Sequence, residues 1–172
     1  MIDGDREIVE VMECMPYGLY IIGSTGAAGA NGMMGDWVTQ VSFKPRLLSA
    51  AIENDAHTLA NIKATGYFTL NFLSEGPEGM NQARHFAAPF NASKIGGPSA
   101  LGVRPKLATN TYRSSGRGCP ILHTAMAWLE CEAIQFVPTG DHTLVIGQVV
   151  DGQMQSDKTP LTSTYTGWTY SG

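Results

Sequence analysis

The sequence has few charged residues, few cysteines and no long apolar run, and each shortage excludes a class of protein. Charged side chains make up 15% of the 172 residues and the formal net charge is −4, so a broad nucleic-acid-binding surface is not expected. No apolar run approaches the ~20 residues that a membrane-spanning helix needs. The acidic start, MIDGDREIVE, lacks the positive flank and apolar core of a signal peptide. We therefore expect a cytoplasmic protein with neither nucleic acid nor membrane as a partner.

The three cysteines, Cys14, Cys119 and Cys131, are odd in number and do not have the spacing of a metal site. A disulfide framework and a bound zinc ion are therefore both unexpected. Free thiols in a reducing compartment are the simpler interpretation. Cys119 lies in a glycine-rich stretch, which leaves open a redox-sensitive thiol at that position.

The common catalytic signatures are also missing from the sequence. It contains no Gly-x-Ser-x-Gly elbow, no Walker A loop, no HExxH pair, and no GxGxxG that leads from a strand into a helix. A nucleophilic hydrolase, a P-loop nucleotidase and a zinc protease are therefore not expected.

Length and residue patterning predict a single mainly β domain over residues 1–172. The hydrophobic fraction of 43% is ordinary for a globular protein with a sizeable core. Short segments that alternate between apolar and polar residues are typical of half-buried strands, and many of them with few helices favour a small closed or partly closed β-barrel. The segments expected to be strands are 18–23, 37–43, 47–52, 67–73, parts of 121–136, 142–150 and 165–170; helices are expected at 57–65 and 80–86.

Two regions complete this prediction. Residues 87–118 are rich in Pro, Gly, Ser and Asn without periodicity, which predicts a long loop excursion over the barrel mouth or a partner subunit. In the segment 121–136, the side chains of Trp128, Leu129 and Ile134 are candidates for the core.

Residues 30–45, ANGMMGDWVTQVSFKP, are the stretch around which we expect the chain to be organised. Gly29, Gly32 and Gly35 are flexible residues that could let the backbone approach a ligand closely. The segment from Trp37 to Phe43 then alternates as a strand, with hydroxyl and amide side chains beside an aromatic anchor. Such a strand needs no ligand, but it could hold a flat, hydrogen-bonding one.

Two further positions could carry chemistry. His57 and Thr58 begin the expected helix, after Asn54 or Asp55 as a capping candidate, and exposed N–H groups at a helix start suit a phosphate. A simple surface capping pair is the alternative there. His142 follows a turn and opens an alternating strand, where it could satisfy a backbone carbonyl or act in an active site.

The order and spacing of these motifs resemble the flavin reductase-like, FMN-binding split-barrel family. The residues that carry the resemblance are, in chain order, Asn31-Gly32, Trp37 to Ser42, Pro45, Asn54, His57-Thr58, Asn61-Ile62 and Gly140 to Val149. The similarity runs from about residue 18 to about residue 150. The Gly35-Asp36-Trp37 sequence is more similar to the flavoredoxin-like branch of the family than to members with small Ser and Thr residues there.

The resemblance implies a Greek-key split barrel that forms a homodimer and binds FMN near the dimer interface. It implies an oxidoreductase of the flavin reductase type, which passes electrons from NAD(P)H through FMN to an acceptor. His142 is the implied catalytic residue near the reactive face. The implied FMN-binding residues are Asn31, Met34, Trp37, Val38, Thr39, Gln40 and Ser42 for the ring and ribityl chain, and Asn54, His57 and Thr58 for the phosphate.

Three alternatives stay open from the sequence. The flavoredoxin-like residues allow a redox protein, instead of NAD(P)H, to be the electron donor. A non-enzymatic split-barrel protein that carries or senses flavin or haem would have a similar sequence. A related barrel oxidase that acts on a small substrate, such as a phosphorylated pyridine, is the third.

Overall fold

The computed structural model describes residues 3–87 and 106–169, which form an antiparallel β fold with four helices in those two ranges. The strands are β1 (Tyr20–Gly26), β2 (Gly29–Gly35), β3 (Val38–Ser42), β4 (Leu47–Glu53), β5 (Tyr67–Phe72), β6 (Tyr112–Ser114), β7 (Pro120–Leu122), β8 (Ala127–Thr139) and β9 (His142–Met154). The helices are α1 (Asp3–Met12), α2 (His57–Thr65), α3 (Pro77–Ala87) and α4 (Ser163–Thr166).

Seven strands form one antiparallel sheet in the order β2-β1-β5-β8-β9-β4-β3, and β6 pairs with β7 in a separate small sheet. The two edge strands, β2 and β3, are consecutive in the chain and are joined by only Asp36 and Trp37. Three peptide steps span at most about 11 Å, whereas the edges of a flat seven-stranded sheet would lie roughly 29 Å apart. The sheet must therefore curl until its edges approach each other at this link.

The expected mainly β architecture is confirmed, but the sheet is not closed by hydrogen bonds. No ladder joins β2 to β3 within the described ranges. Strands β3 and β4 pair in the antiparallel direction, as a short connection favours. That connection contains the cis peptide bond between Lys44 and Pro45.

Two hydrophobic clusters lie on opposite faces of β1, because successive side chains of a strand point to opposite sides. Ile22 belongs to the first cluster, which α2 covers with Leu59 and Ile62. Ile21 belongs to the second cluster, which α3 covers with Ala83 and Phe86. Ala83 and Phe86, in the helix predicted at 80–86, therefore belong to the core.

The predicted bounds of α2 are correct, but the predicted N-cap residue is wrong. Gly66 ends the helix in the left-handed conformation, with φ of +80°, and donates its N–H to the carbonyl of Ile62. The N-cap residue is Ala56, which makes no side-chain capping bond. The N-cap position is therefore held by neither Asn54 nor Asp55, and Asn54 contacts a distant turn, as described below.

The glycines at positions 29, 32 and 35 were expected to make the backbone flexible. Instead they lie in β2, which forms a hairpin with β1. Of its glycines, Gly29 has positive φ, but Gly32 and Gly35 do not. A Cβ atom at Gly32 would lie 2.6 Å from Phe86, and one at Gly35 would lie 2.6 Å from Ile22. These two glycines are required by close packing against the core, not by a turn.

Three other predictions are corrected. Part of the expected final strand at 165–170 lies in α4, where the Thr162 side chain accepts the N–H of Tyr165. Residue 170 lies outside the described ranges. Ile134 is 48% exposed and is not a core residue, whereas Trp128 is buried. Strand β9 also continues beyond the expected end at residue 150, to Met154.

The predicted excursion at 87–118 is only partly covered by the structure, because residues 88–105 lie outside the described ranges. Its later part contains β6. On either side of 88–105 the chain is joined to itself: the Lys106 ammonium donates to the carbonyl of Phe86 at 2.9 Å, and the His85 ring nitrogen Nε2 lies 2.7 Å from the Lys106 carbonyl oxygen.

Gly147→Ala tests the close packing of β9 on the first cluster. We expect the free energy of unfolding to fall by about 1–3 kcal/mol, because the added Cβ would lie 2.6 Å from Cζ of Phe68. Urea denaturation measures the change. Gly116→Ala is the control, since its Cβ would meet its nearest neighbour, Glu130, at an ordinary 3.5 Å; equal stability of the two variants would contradict the packing argument.

Candidate functional site

Trp37 and His142 form an aromatic contact at the end of the sheet where β3 and β9 begin. Their ring centroids lie 4.9 Å apart and the ring planes are inclined by 41°. The ladder places His142 opposite Glu53 at the end of β4, and the N–H of Ala51 donates to the Trp37 carbonyl. The His142 side chain is only 12% exposed, whereas Trp37 is 37% exposed. The pair therefore presents mainly the indole to solvent.

Asp141 determines which nitrogen of His142 carries a proton. Its Oδ1 lies 2.7 Å from Nδ1 of His142, and a carboxylate only accepts hydrogen bonds, so Nδ1 is the donor. The hydrogen bond from His142, followed by the charge of that ring when protonated, lowers the pKa of Asp141. Nε2 is then the nitrogen that can exchange a proton. The sequence reasoning did not single out Asp141, although it directly precedes His142.

Asp36 is a second carboxylate that sequence reasoning did not assign to the site. It is half-buried in the link between the two sheet edges, and its Oδ1 accepts the N–H of Trp37 at 3.0 Å. Burial raises the pKa of Asp36, while the hydrogen bond from Trp37 and the positive charge of protonated His142 act in the opposite direction. A single Asp between Gly35 and Trp37 matches no sequence motif that would assign it to a site.

Asn54 joins the turn after β4 to the turn between β8 and β9. Its backbone N–H donates to the Asp141 carbonyl at 2.9 Å, and its Nδ2 donates to the Gly140 carbonyl at 2.8 Å. Its Oδ1 accepts the hydroxyl of Thr143 at 2.7 Å. The residue expected to bind a phosphate therefore already makes three hydrogen bonds to the residues on either side of His142.

The start of α2 follows Asn54 by three residues. His57 and Thr58 begin the helix, as predicted, and the Thr58 side chain is buried. The first N–H groups of a helix have no acceptor within it, and Ala56 offers no side-chain cap. The positive end of the helix dipole at this start is the kind of feature that attracts an anion.

The predicted residues of β3 divide between core and surface. Val38 packs against the first hydrophobic cluster, whereas Thr39 and Gln40 are exposed. The Gln40 amide donates to the Ser42 carbonyl at 3.2 Å. Because β3 is an edge strand of the sheet, the backbone groups on its outer side are not engaged in the ladder.

Asn31 and Met34 do not share the surface that Trp37 and His142 form. Both lie on β2, at the other edge of the sheet. Asn31 is 4% exposed and is paired with Ser24, and Met34 packs against the second hydrophobic cluster. The sequence places them near Trp37 along the chain, but the alternation of β2 directs them to other environments.

Two of the three cysteines are buried. Burial, followed by the nearby charge of Glu130, raises the pKa of Cys119 to about 11 and that of Cys131 to about 12. Both thiols therefore stay protonated at neutral pH, and a thiol is a poor nucleophile in that form. Cys14 is exposed.

The fold is a curled antiparallel sheet with an aromatic and polar site at one end. Comparisons with known proteins identify its family. The sequence profile described as "Flavin reductase like domain" matches residues 12–169. The chain belongs to the flavin reductase-like family. The resemblance seen in the sequence is therefore confirmed at the level of the family.

Individual relatives agree with this assignment. The chain is 30% identical to diflavin flavoprotein A 1 of Synechocystis sp. over 87% of its own length, but spans only 24% of that protein. It is 26% identical to the reductase subunit of stachydrine N-demethylase from Rhizobium meliloti, covering 84% of this chain and 56% of the subunit. Among solved structures, the NADH:FAD oxidoreductase of Streptomyces globisporus, in complex with NAD and FAD fragments, matches with a TM-score of 0.76 and 25% identity over 94% of this chain and 90% of that one.

None of the helices in the two described ranges combines the length and the apolar character that a transmembrane span requires.

Asp36→Asn should raise the melting temperature at about pH 7, because burial disfavours the charged carboxylate while the amide oxygen can still accept the Trp37 N–H. A raised folded-state pKa means that the stabilising effect of the protonated carboxyl is lost as the pH rises through that pKa. The advantage of the variant should therefore vanish in acid, and melting scans between about pH 3 and about pH 7 measure it.

Asp151→Asn is the matched control, since exposed Asp151 also accepts the N–H of the next residue, Gly152, at 2.8 Å. A melting temperature of Asp36→Asn that does not differ from that of Asp151→Asn at any pH would show that burial of Asp36 has no energetic effect.

A thiol reagent at about pH 8 should modify one cysteine rapidly in the folded protein, because only a thiolate reacts and Cys119 and Cys131 are held protonated. All three cysteines should react in denaturant. The Cys14→Ser variant should show no rapid reaction when folded. A fast thiol in that variant would mean that Cys119 or Cys131 is accessible after all.

Proposed function

We propose that this protein binds FMN and acts as an oxidoreductase of the flavin reductase type, which passes electrons from NAD(P)H through FMN to an acceptor. The observation that carries the proposal is the contact of Trp37 with the half-buried ring of His142, which Asp141 holds by a hydrogen bond, next to the end of β4. Membership of the flavin reductase-like family supports the binding of a flavin. That the flavin is FMN and that NAD(P)H is the electron donor are parts of the proposal.

The residues at this end of the sheet fit the chemistry of a flavin. An isoalloxazine ring needs hydrogen-bond donors and acceptors along its pyrimidine edge and apolar contact elsewhere. The outer backbone edge of β3, with Thr39 and Gln40, offers such donors and acceptors, and the exposed indole of Trp37 offers an apolar face. Ser42 and the backbone of Val38 extend the same edge.

The start of α2 fits the phosphate of FMN. The backbone N–H groups at His57 and Thr58 are supported by the helix dipole, and no side chain of the N-cap residue competes for them. Asn31 and Met34 lie on β2, at the other edge of the sheet, and the proposed ring-binding surface does not include their side chains.

When bound, FMN would supply the hydride- and electron-accepting chemistry. His142 is the proposed catalytic residue: Asp141 holds its Nδ1 proton, so Nε2 can donate or accept a proton at the reacting centre. Trp37 restricts the ring of His142 from one face and shields it from water, which strengthens electrostatic interactions there.

We also propose that the domain is a split barrel that works as a homodimer. The curled but unclosed sheet supports the split barrel. Exposed apolar side chains support the homodimer; they are Val41 on β3, Phe43 between β3 and β4, Ile134 on β8 and Val150 on β9, with Phe43 84% exposed.

An absorption spectrum of the purified protein with added FMN, followed by anaerobic NADH or NADPH, tests the function. We expect flavin bands near ~370 and ~450 nm that bleach with a nucleotide. His142→Ala should slow the bleaching by roughly 100-fold or more. His123→Ala is the control, because His123 is exposed and lies in the chain between β7 and β8.

The other outcomes separate the alternatives. Bound flavin that stays oxidised with both nucleotides would favour reduction by a protein partner or a passive carrier. Failure to bind FMN would overturn the proposal. An unchanged rate in His142→Ala would remove His142 from the chemistry.

A further inference from the structure

The three hydrogen bonds of Asn54 reach residues 86 to 89 positions away, and all of them are to the segment that carries His142. They engage the carbonyl of Gly140, the carbonyl of Asp141 and the hydroxyl of Thr143. His142 is therefore flanked on both sides by residues that Asn54 holds.

The orientation of the Asn54 amide is determined by its partners. A backbone carbonyl can only accept, so the group that faces Gly140 must be the Nδ2 donor. Oδ1 then faces the Thr143 hydroxyl, which donates to it. Thr143 is only 4% exposed, so this hydroxyl would lose a hydrogen bond without Asn54.

Gly140 and Asp141 form the two-residue turn between β8 and β9, where Thr139 pairs with His142 and the Thr139 hydroxyl donates to the His142 carbonyl at 3.1 Å. Gly140 adopts a φ of +79°, and both Gly140 and Asp141 are exposed. Asp141 can orient Nδ1 of His142 only if the backbone of this turn is held in place. The bonds from Asn54 add a restraint that the Thr139 contact does not supply, because they hold the carbonyls of Gly140 and Asp141 from the end of β4, beside the ladder partner of His142.

We propose that Asn54 is a positioning residue that holds the Asp141–His142 pair in its orientation, and not a ligand of the flavin phosphate as the sequence suggested. The proposal rests on the proposed function in so far as His142 works at the flavin. The orientation of the His142 ring itself is a property of the protein without flavin.

The first test compares FMN with riboflavin, which lacks the phosphate. For Asn54→Leu, we expect both dissociation constants to change by the same factor, while flavin reduction at saturating nucleotide slows by about 10–100-fold, since small displacements of a catalytic group have effects of this size. A phosphate ligand would behave differently: the preference for FMN over riboflavin would fall about tenfold or more, with the rate at saturation retained.

The second test needs no flavin. In ¹⁵N NMR of the flavin-free protein, the His142 imidazole should show a single tautomer with the proton on Nδ1, and Asn54→Leu should shift it towards exchange between tautomers. Unchanged His142 signals in this variant would overturn the proposal, as would a selective loss of FMN over riboflavin affinity.

Three further variants distinguish the proposed role from a folding defect. Thr143→Val removes only the hydroxyl that donates to Asn54, and it should reproduce part of the loss in rate, whereas Thr143→Ser should retain the wild-type rate. Asn81→Leu is the matched control on the exposed face of α3, and it should change neither the rate of flavin reduction nor the His142 NMR signals. If wild-type protein fails to bind FMN, the proposed function fails, but the NMR comparison still decides the role of Asn54.

Discussion

The link of Asp36 and Trp37 is the constraint on which the rest of this structure depends. It joins the two opposite edges of a seven-stranded sheet through two residues, so the sheet must curl. The inner face of the curled sheet then encloses the first hydrophobic cluster, which α2 completes. The residues that impose this curvature also lie at the candidate site, because Trp37 contacts His142 there.

The site is consequently built from strand and helix ends that are far apart in sequence. The end of β4, the start of β9 and the start of α2 converge where the edges of the sheet approach each other. The Asn54 side chain donates to the Gly140 carbonyl, and the Asn54 backbone N–H donates to the Asp141 carbonyl, so β4 and the β8–β9 turn are joined at the site. A site of this kind is as rigid as the sheet beneath it, which favours precise placement of a ring such as that of His142.

Local patterns in the sequence predicted those elements whose signals are local. Strands β3 and β4 show clear alternation or an apolar run next to Pro45, and α2 has helical spacing and a terminal Gly66. The hairpin of β1 and β2 was missed because glycine within a strand is uncommon, and its cause is long-range: Phe86 and Ile22 occupy the space that side chains at Gly32 and Gly35 would need.

The candidate site was predicted in its chain positions more than in its contacts. Trp37 and His142 were singled out separately, and nothing in the sequence indicates that their rings touch. The role of Asn54 was misjudged as a helix cap because the competing partners lie 86 to 89 residues away. Hydrogen bonds across such separations arise from the strand register, which the sequence pattern of one segment does not encode.

The junction of Lys106 with Phe86 and His85 has a consequence for how this fold can vary. The chain leaves α3 and returns at Lys106 at nearly the same point, since an ammonium and a ring nitrogen bridge the two sides at 2.9 and 2.7 Å. Each doubling of the length of chain between two such fixed points costs only about 0.6 kcal/mol in closure entropy. The two points from which that interval starts and to which it returns are therefore fixed by contacts of Phe86, His85 and Lys106 themselves, and a change in its length need not move them.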